Sequence, residues 1–236
     1  MESINFCGLT FSGLDRKKIL SNDSYFQQIV TVGAEFIIEA QKNPRLKEII
    51  NKNTSTFDGQ VPYLLANLKN NGTSFEKISG ADFIYDICEK ALHQKERIFL
   101  LGGNEISNPA SVKRMKEMGI EAEGLVTGFI PYPFPEDRLK AILEKIKEFQ
   151  PTYLFVGLGM CKQEYFIDEN RRFLEQNGVK IAVGSGGTFE VFSGTIKRAP
   201  KWMQKMGLEG VFRVFTDPSL KRLRRLLSTI KFIKYI

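Results

Sequence analysis

The chain has 236 residues, of which 42% are hydrophobic and 26% are charged, so its length and composition are those of an ordinary globular protein. Its net charge of +7 is uneven: residues 194–236 hold 11 basic and two acidic residues, whereas residues 1–193 hold 23 basic and 25 acidic ones. No apolar run reaches the roughly 20 residues of a membrane span, and the first residues do not read as a signal peptide, so we expect a cytoplasmic protein.

Short strands and helices alternate along the first part of the chain. The predicted elements are, in order, a strand or hairpin arm over residues 4–11, a helix from Asp15 to Leu20, a strand over 28–32, a helix over 34–41, a helix from Pro44 with Asn43 as its cap, and a strand over 54–57. Gly33 joins the second strand to its helix, which makes a strand–glycine–helix unit.

Asp58 and Gly59 follow the strand at residues 54–57. An Asp-Gly pair after a strand is usually only a turn. It also presents a carboxylate at the carboxyl end of a strand, the edge of an open parallel sheet where ligands bind. Both interpretations of Asp58 stay open at this point.

The middle of the chain repeats a strand, a glycine turn and a helix. The predicted strands cover residues 97–101, 120–126, 152–156 and 180–183, and the predicted helices cover residues 81–92, 108–118, 136–149 and 162–176. This alternation predicts an α/β fold with a parallel sheet and right-handed crossover connections.

Three of these strands end in glycine turns: Gly102-Gly103, Gly157-Leu158-Gly159 and Gly184-Ser185-Gly186-Gly187. Glycine lets a ligand approach the backbone closely, and N–H groups at the start of the next helix attract phosphate. No turn matches the dinucleotide-binding GxGxxG motif or a Walker A loop, so we expect no redox cofactor. Turns of α/β proteins need glycine for structure alone, but we favour a nucleotide or phosphate site at the shared sheet edge.

Polar residues stand next to two of the turns. Lys162, Gln163 and Glu164 open the helix after Gly159, and Glu190 follows Gly187 by three residues. These side chains are candidates to bind a ligand at the turns. The acids also suit a first helical turn, where negative charge interacts favourably with the helix dipole, so a structural role is the alternative.

Metal-binding signals are weak. Cys7, Cys88 and Cys161 are far apart and the only histidine is His93, so we expect neither a zinc site nor a histidine-dependent triad. The sequence also lacks an Asp-x-Asp pair, the common carboxylate clamp for a metal-bound nucleotide diphosphate. A nucleotide-sugar enzyme built on this chain would need basic side chains to stabilise the leaving diphosphate, and the C-terminal bases could provide them.

The basic C-terminal segment predicts a helical appendage. Helices are predicted from Pro200 to Gly207, over residues 208–215 and over residues 218–236, and the last is amphipathic with a cationic face. Its charge suits an anionic membrane surface, with nucleic acid or a merely solvated face as alternatives. The predicted membrane-binding residues are Lys221, Arg222, Arg224, Arg225, Lys231 and Lys234.

Four stretches together resemble the WecG/TagA/CpsF glycosyltransferases (family 26): SGTIKRAPKWMQKMGLE at residues 193–209, VGLGMCKQE at 156–164, LLGG at 100–103 and FDG at 57–59. The resemblance implies a bacterial, inverting, metal-independent enzyme that moves a sugar from a UDP-sugar to an undecaprenyl-diphosphate-linked sugar. Its products would enter teichoic acid, common antigen, capsule or exopolysaccharide.

The resemblance also implies the architecture and the location. It implies a Rossmann-like, mostly parallel sheet flanked by helices in a catalytic domain over residues 1–193. It further implies a helical appendage over residues 194–236 that completes the site and docks on the inner face of the cell membrane. A homo-oligomer is compatible with this arrangement, and nucleic acid is not an expected partner.

Matching the family motifs residue by residue implies roles for individual side chains. The general base falls on Asp58, which would deprotonate the acceptor hydroxyl. Residues that stabilise the leaving diphosphate fall near Arg213, Arg222 and Arg225. The implied and candidate substrate-binding residues are Thr31, Gly33, Lys77, Gly102, Gly103, Gly157, Gly159, Lys162, Gln163, Glu164, Gly186 and Glu190.

Departures from the family motifs fall near the expected donor site. Gly33 stands where the family usually has asparagine, Gln60 lies in an altered DGxGxV motif, and Glu190 replaces aspartate. They leave the donor sugar open between N-acetylmannosamine, its uronic acid, glucose and galactose. The rival functions are a degenerate family member that binds a UDP-sugar without turnover and a nucleic-acid-binding module, which lacks any recognised motif.

Overall fold

The computed structural model describes residues 2–22, 24–70, 73–216, 227 and 231–236. The chain divides into two compact units. The first unit comprises Met1–Ile19, Val30–Ser79 and Lys197–Ile236, and the second unit comprises Leu20–Ile29 and Gly80–Ile196.

The strands and helices alternate along the chain as the sequence pattern predicts. The strands are β1 (Ile4–Phe6), β2 (Leu9–Phe11), β3 (Gln27–Val32), β4 (Thr54–Phe57), β5 (Ile98–Gly102), β6 (Ala122–Leu125), β7 (Tyr153–Gly157) and β8 (Ile181–Gly184). The helices are α1 (Arg16–Leu20), α2 (Ala34–Ala40), α3 (Pro44–Lys52), α4 (Gln60–Lys69), α5 (Gly80–Gln94), α6 (Ser107–Glu117), α7 (Glu136–Phe149), α8 (Lys162–Glu169), α9 (Arg171–Gln176), α10 (Thr188–Phe192), α11 (Lys201–Lys205) and α12 (Glu209–Thr216). A short 3₁₀ helix, Phe232–Tyr235, lies near the C-terminus.

The six longer strands form one sheet in the order β4-β3-β8-β7-β5-β6, and β1 pairs with β2 in a separate antiparallel hairpin. In the second unit β7 pairs in parallel with both β5 and β8, and β5 also pairs in parallel with β6. Parallel neighbours place all their carboxyl ends at one edge. The predicted α/β fold with a mostly parallel, helix-flanked sheet is therefore confirmed.

The core of the second unit explains why its strands read as continuous apolar runs. All residues of β5 are buried, as are the first four of β7, because helices cover both faces of such a sheet. One cluster of buried side chains joins β5 and β7 to α7 and α8, and includes Phe99, Ile146, Leu154 and Phe166.

The first unit is held by aromatic packing and capped helices. The Phe57 ring stacks on Phe11 with the ring centroids 3.8 Å apart. The Asn43 side chain accepts a hydrogen bond of 3.1 Å from the Leu46 N–H, which confirms its predicted capping role. The Asp15 side chain likewise accepts from the Lys18 N–H at 3.1 Å.

Several predicted boundaries are wrong. The helix predicted to start at Asn108 starts one residue earlier, at Ser107. The Asn104 side-chain oxygen accepts hydrogen bonds from the N–H groups of Ile106 and Ser107, which have no partner within the helix at its first turn. The helix predicted over residues 162–176 is interrupted at Asn170, and α4 was not predicted. The amphipathic helix predicted over residues 218–236 falls mostly outside the described residues. Among the described helices none is long and apolar enough to cross a membrane.

Candidate functional site

The glycines at the ends of β5 and β7 are required by packing within the second unit. The Gly103 N–H donates to the Gly157 carbonyl at 3.0 Å. A Cβ on Gly102 would lie 2.6 Å from that same oxygen, and one on Gly103 would lie 2.6 Å from the Phe189 ring. Both glycines also have positive φ, which other residues rarely adopt. A Cβ on Gly157 would lie 3.0 Å from the Phe189 ring and 3.1 Å from the Gly103 nitrogen, so packing alone accounts for all three glycines.

Two other glycines of the turns are not explained by packing. Gly159 and Gly186 have φ of +90° and +46°, and a Cβ on either would meet nothing within 4 Å. The backbone at these positions is open on the side where a side chain would stand. This is the property that a turn needs if a ligand approaches its backbone.

The three polar residues at the start of α8 have different environments. The Lys162 ammonium donates to the Ile130 carbonyl at 2.6 Å and lies 4.3 Å from the Phe129 ring centroid. Gln163 and Glu164 are only 2% and 1% exposed. Lys162 thus anchors the loop after β6, and the other two form a buried pair beneath the turn after β8.

The buried pair is hydrogen-bonded to itself and to the turn. The Gln163 Nε2 donates to Glu164 Oε1 at 2.8 Å, and the Gly186 N–H donates to Gln163 Oε1 at 3.2 Å. The Gln28 amide of β3 donates to the Glu164 backbone carbonyl at 3.1 Å. Burial raises the pKa of the Glu164 carboxyl to about 7, while hydrogen bonds from Gln163 and from backbone N–H groups oppose part of that rise.

Glu190 lies half-buried in the first turn of α10. A Cβ on Gly187 would lie 3.1 Å from Glu190 Oε2, so this carboxylate folds back over the glycine turn. Its backbone carbonyl accepts from Ser193 Oγ at 3.3 Å and from Thr195 Oγ1 at 3.0 Å.

Asp58 lies at the carboxyl end of β4 in the first unit, where its side chain is half-buried. Its N–H donates to the Val32 carbonyl at 3.0 Å, which fixes the strand end next to β3. Lys77 pairs in parallel with Phe57 through an isolated bridge, and the Ile78 N–H donates to the Phe57 carbonyl at 3.1 Å. The first unit thus brings the backbone of Lys77 beside the strand end that carries Asp58.

Thr31 and Gly33 belong to the same part of the first unit. Thr31 is buried near the end of β3. Gly33 precedes α2 with φ of −95°, and a Cβ there would lie 3.4 Å from the Asp58 carbonyl oxygen. A larger residue at position 33 therefore meets only ordinary van der Waals contact at its Cβ.

The basic appendage is only partly described. Arg213 lies in α12, but its side chain is outside the description, as are Lys221, Arg222, Arg224 and Arg225 altogether. Lys231 and Lys234 are exposed, and the Lys234 ammonium lies 4.9 Å from the Tyr235 ring centroid. The same segment exposes large apolar side chains, namely Trp202, Met206, Phe215 and Ile233.

Sequence reasoning missed several buried polar residues around the turns. The Asn108 amide donates to the Leu100 and Gly102 carbonyls at 2.9 and 2.7 Å, so from the first turn of α6 it also fixes the end of β5. Gln28 and Ser185 are also buried. The burial of Gln28 could have been predicted, because this polar residue lies within an otherwise β-rich sequence. In the part of the chain that the structure describes, no group of three or more acidic, cysteine or histidine residues could hold a metal ion.

Comparison with known proteins covers nearly the whole chain. A family model described as "Glycosyl transferase WecG/TagA/CpsF family" matches residues 4–236. A curated relative from Bacillus spizizenii, N-acetylglucosaminyldiphosphoundecaprenol N-acetyl-beta-D-mannosaminyltransferase, is 31% identical over 207 residues, which are 87% of this chain and 76% of the relative. These matches confirm the family resemblance that the sequence motifs carry.

Proposed function

The chain belongs to the WecG/TagA/CpsF glycosyltransferase family, and on that premise we propose that it transfers N-acetylmannosamine from a UDP-sugar to undecaprenyl-diphosphate-linked N-acetylglucosamine. The printed activity of the Bacillus spizizenii relative supports this choice of transferred sugar and acceptor. The observation that carries the catalytic proposal is the half-buried Asp58 carboxylate at the end of β4.

The proposed reaction is a single displacement at the anomeric carbon of the donor. The Asp58 carboxylate accepts the proton of the acceptor hydroxyl, whose oxygen forms the new bond to the anomeric carbon. The bond between that carbon and UDP breaks, and UDP leaves with the electron pair. Attack opposite the leaving group inverts the configuration at the anomeric carbon.

Candidate donor contacts are proposed in each unit separately. In the second unit the open backbone at Gly159 and Gly186 supports an approach by the nucleotide sugar. In the first unit the proposed contacts are Thr31, Gly33 and Lys77. Of these, Lys77 carries the positive charge that a diphosphate would attract.

Basic residues of the appendage are proposed to stabilise the leaving diphosphate in place of a metal ion. We propose Arg213, Arg222 and Arg225 for this role, because the family resemblance puts such residues near these positions. We further propose that the appendage lies on the anionic inner face of the membrane, where the lipid-linked acceptor resides. The exposed Trp202, Met206 and Phe215 in the same basic segment support that docking, since aromatic and apolar side chains insert at the interface while bases attract anionic lipid.

A donor and acceptor screen tests the proposal. The full chain is incubated with UDP-N-acetylmannosamine, its uronic acid, UDP-glucose or UDP-galactose and with N-acetylglucosaminyl-diphospho-lipid in vesicles, with chelator present. We expect UDP release with UDP-N-acetylmannosamine, undiminished by chelator, and several-fold faster in anionic than in zwitterionic vesicles because each base adds about 1 kcal/mol of attraction.

Other outcomes of the screen separate the rival functions. Release with UDP-glucose or UDP-galactose alone would change the donor but keep the reaction. Tight UDP binding without release from any donor would identify a family member that has lost turnover. Activity that is lost with chelator would contradict the metal-independent mechanism.

A further inference from the structure

A buried carboxyl group of the second unit lies beneath the donor-binding turn without itself reaching solvent. Glu164 is 1% exposed, and its Oε1 accepts from Gln163 Nε2 at 2.8 Å. Its other oxygen, Oε2, has no hydrogen-bond partner among the described residues. A buried polar atom without a partner is unfavourable, so its retention calls for an explanation beyond packing.

The end of β8 is shaped to hold this pair. A Cβ on Gly184 would lie 2.4 Å from Glu164 Oε1 and 2.8 Å from Gln163 Nε2. The space that a side chain at the end of β8 would fill is therefore occupied by the two polar groups of α8. These two side chains are the reason that position 184 needs a glycine. A turn is not the reason, because Gly184 is the last residue of β8 and the turn starts at Ser185.

Hydrogen bonds, and not an opposite charge, are what partly compensate a carboxylate here. The helix that carries Glu164, α8, packs against β7, β8 and α9, and Gln28 of β3 donates to the Glu164 backbone carbonyl. Lys162 of its own helix donates to the Ile130 carbonyl, and Arg171 of α9 lies over the Phe26 ring at 4.9 Å. The titratable groups next to Glu164 on its own helix and at the helix N-cap are Tyr165, Asp168 and Cys161, and no charged group contributes to the raised pKa of Glu164.

We propose that Glu164 is a positioning residue for the donor: its carboxyl holds the Gln163 amide, which in turn holds the Gly186 N–H and sets the shape of the open turn. The part of this inference that rests on the proposed function is that the ligand at the turn is a UDP-sugar. The amide orientation follows from the two bonds, since Gln163 Nε2 donates to Glu164 and Gln163 Oε1 accepts from Gly186.

The charge on Glu164 would then couple pH to donor binding. The pKa of this carboxyl, about 7, places the change from neutral to charged near neutral pH. Above that pH a buried negative charge lies beneath the turn that receives an anionic nucleotide. Below it the neutral acid keeps the Gln163 contact without repelling the ligand.

The first measurement is independent of any donor. The backbone amide resonance and hydrogen exchange of Gly186 are followed by nuclear magnetic resonance between about pH 6 and about pH 8.5, which brackets the titration of Glu164. We expect the resonance to titrate near neutral pH in the wild type and to lose that titration in Glu164→Gln. Glu164→Ala should speed the exchange of Gly186. Glu175→Gln, the same change at an exposed acid of α9, is the control and should behave as the wild type.

The second measurement follows UDP binding by calorimetry over the same pH range. We expect the Kd of UDP to rise roughly tenfold with pH in the wild type, a change of about 1.4 kcal/mol. In Glu164→Gln this rise should be lost, and only the ionisation of the UDP phosphate at about pH 6 should remain. A Gly186 resonance that ignores Glu164 would overturn the positioning role, whether or not the chain transfers sugar. UDP binding that is the same in Glu164→Ala and wild type would overturn the link to the donor.

The two measurements keep this inference distinct from the proposed function. If Gly186 responds to Glu164 but the wild type binds no UDP, the UDP-sugar assignment fails while the coupling between Glu164 and the turn stands. Glu164→Gln conserves size and hydrogen-bonding groups, so it keeps the test valid if Glu164→Ala does not fold.

Discussion

The two units treat the polar residues at their strand ends in opposite ways. In the first unit Asp58 is half-buried at the end of β4, with the charged residue Lys77 on the segment that pairs with Phe57. In the second unit Gln163 and Glu164 are fully buried beneath the turn after β8 and bond to each other. The first arrangement suits groups that meet a substrate, and the second suits groups that fix a backbone.

The difference in burial between Asp58 and the Gln163–Glu164 pair fits the different roles that we propose for them. A general base must reach a proton on its substrate, so it needs some access to solvent and a carboxylate that is charged at neutral pH. A group that holds a turn works best when it is buried, because its hydrogen bonds then do not compete with water. The comparison therefore agrees with the proposed catalytic role of Asp58 and with the proposed positioning role of the Gln163–Glu164 pair.

Replacing the proposed base should have the largest effect. We expect Asp58→Asn to lower kcat by about 10²–10⁴-fold, because the amide cannot accept the acceptor proton. UDP affinity and thermal stability should change little, since the backbone N–H of residue 58 still donates to Val32. The matched control is Asp137→Asn, an exposed acid at the start of α7. An Asp58→Asn enzyme that keeps more than a tenth of wild-type activity would place the base elsewhere.

A glycine-to-alanine substitution in each unit tests the same comparison through stability. Its expected effect is smaller than that of replacing Asp58. Gly184→Ala places a Cβ 2.4 Å from Glu164 Oε1, whereas the Cβ of Gly33→Ala lies 3.4 Å from its nearest atom at an ordinary φ. We expect Gly184→Ala to lower the free energy of unfolding by about 1–3 kcal/mol, as overpacking of a filled core does. Gly33→Ala should be neutral or slightly stabilising, because it restricts the unfolded chain.

Chemical denaturation of both glycine variants checks this prediction. Equal unfolding free energies for the two variants would mean that the end of β8 relaxes readily, and the buried pair would then not be a rigid support. UDP binding should weaken in Gly184→Ala, since a displaced Gln163 releases the Gly186 N–H.

The sequence predicted the position of Asp58 better than the environments of the buried polar residues. Asp58 could be located because a β-rich run followed by Asp-Gly marks a strand end, and because FDG is part of a family motif. Glu164 looked like a first-turn acid at a ligand site, yet its burial depends on Gly184, which is 20 residues away in the chain. Asn108 was predicted only as a helix start, and its local sequence does not show that its amide also holds the end of β5. Which carbonyls a buried amide meets is decided by tertiary packing, and no local pattern records it.

The identity of the product tests the central claim most directly. The wild-type chain is incubated with UDP-α-linked N-acetylmannosamine and N-acetylglucosaminyl-diphospho-lipid, and the anomeric configuration of the new linkage is read by nuclear magnetic resonance. Direct displacement assisted by Asp58 predicts a β-linked N-acetylmannosaminyl product together with stoichiometric UDP. An α-linked product, or free N-acetylmannosamine released by water without any disaccharide, would contradict it.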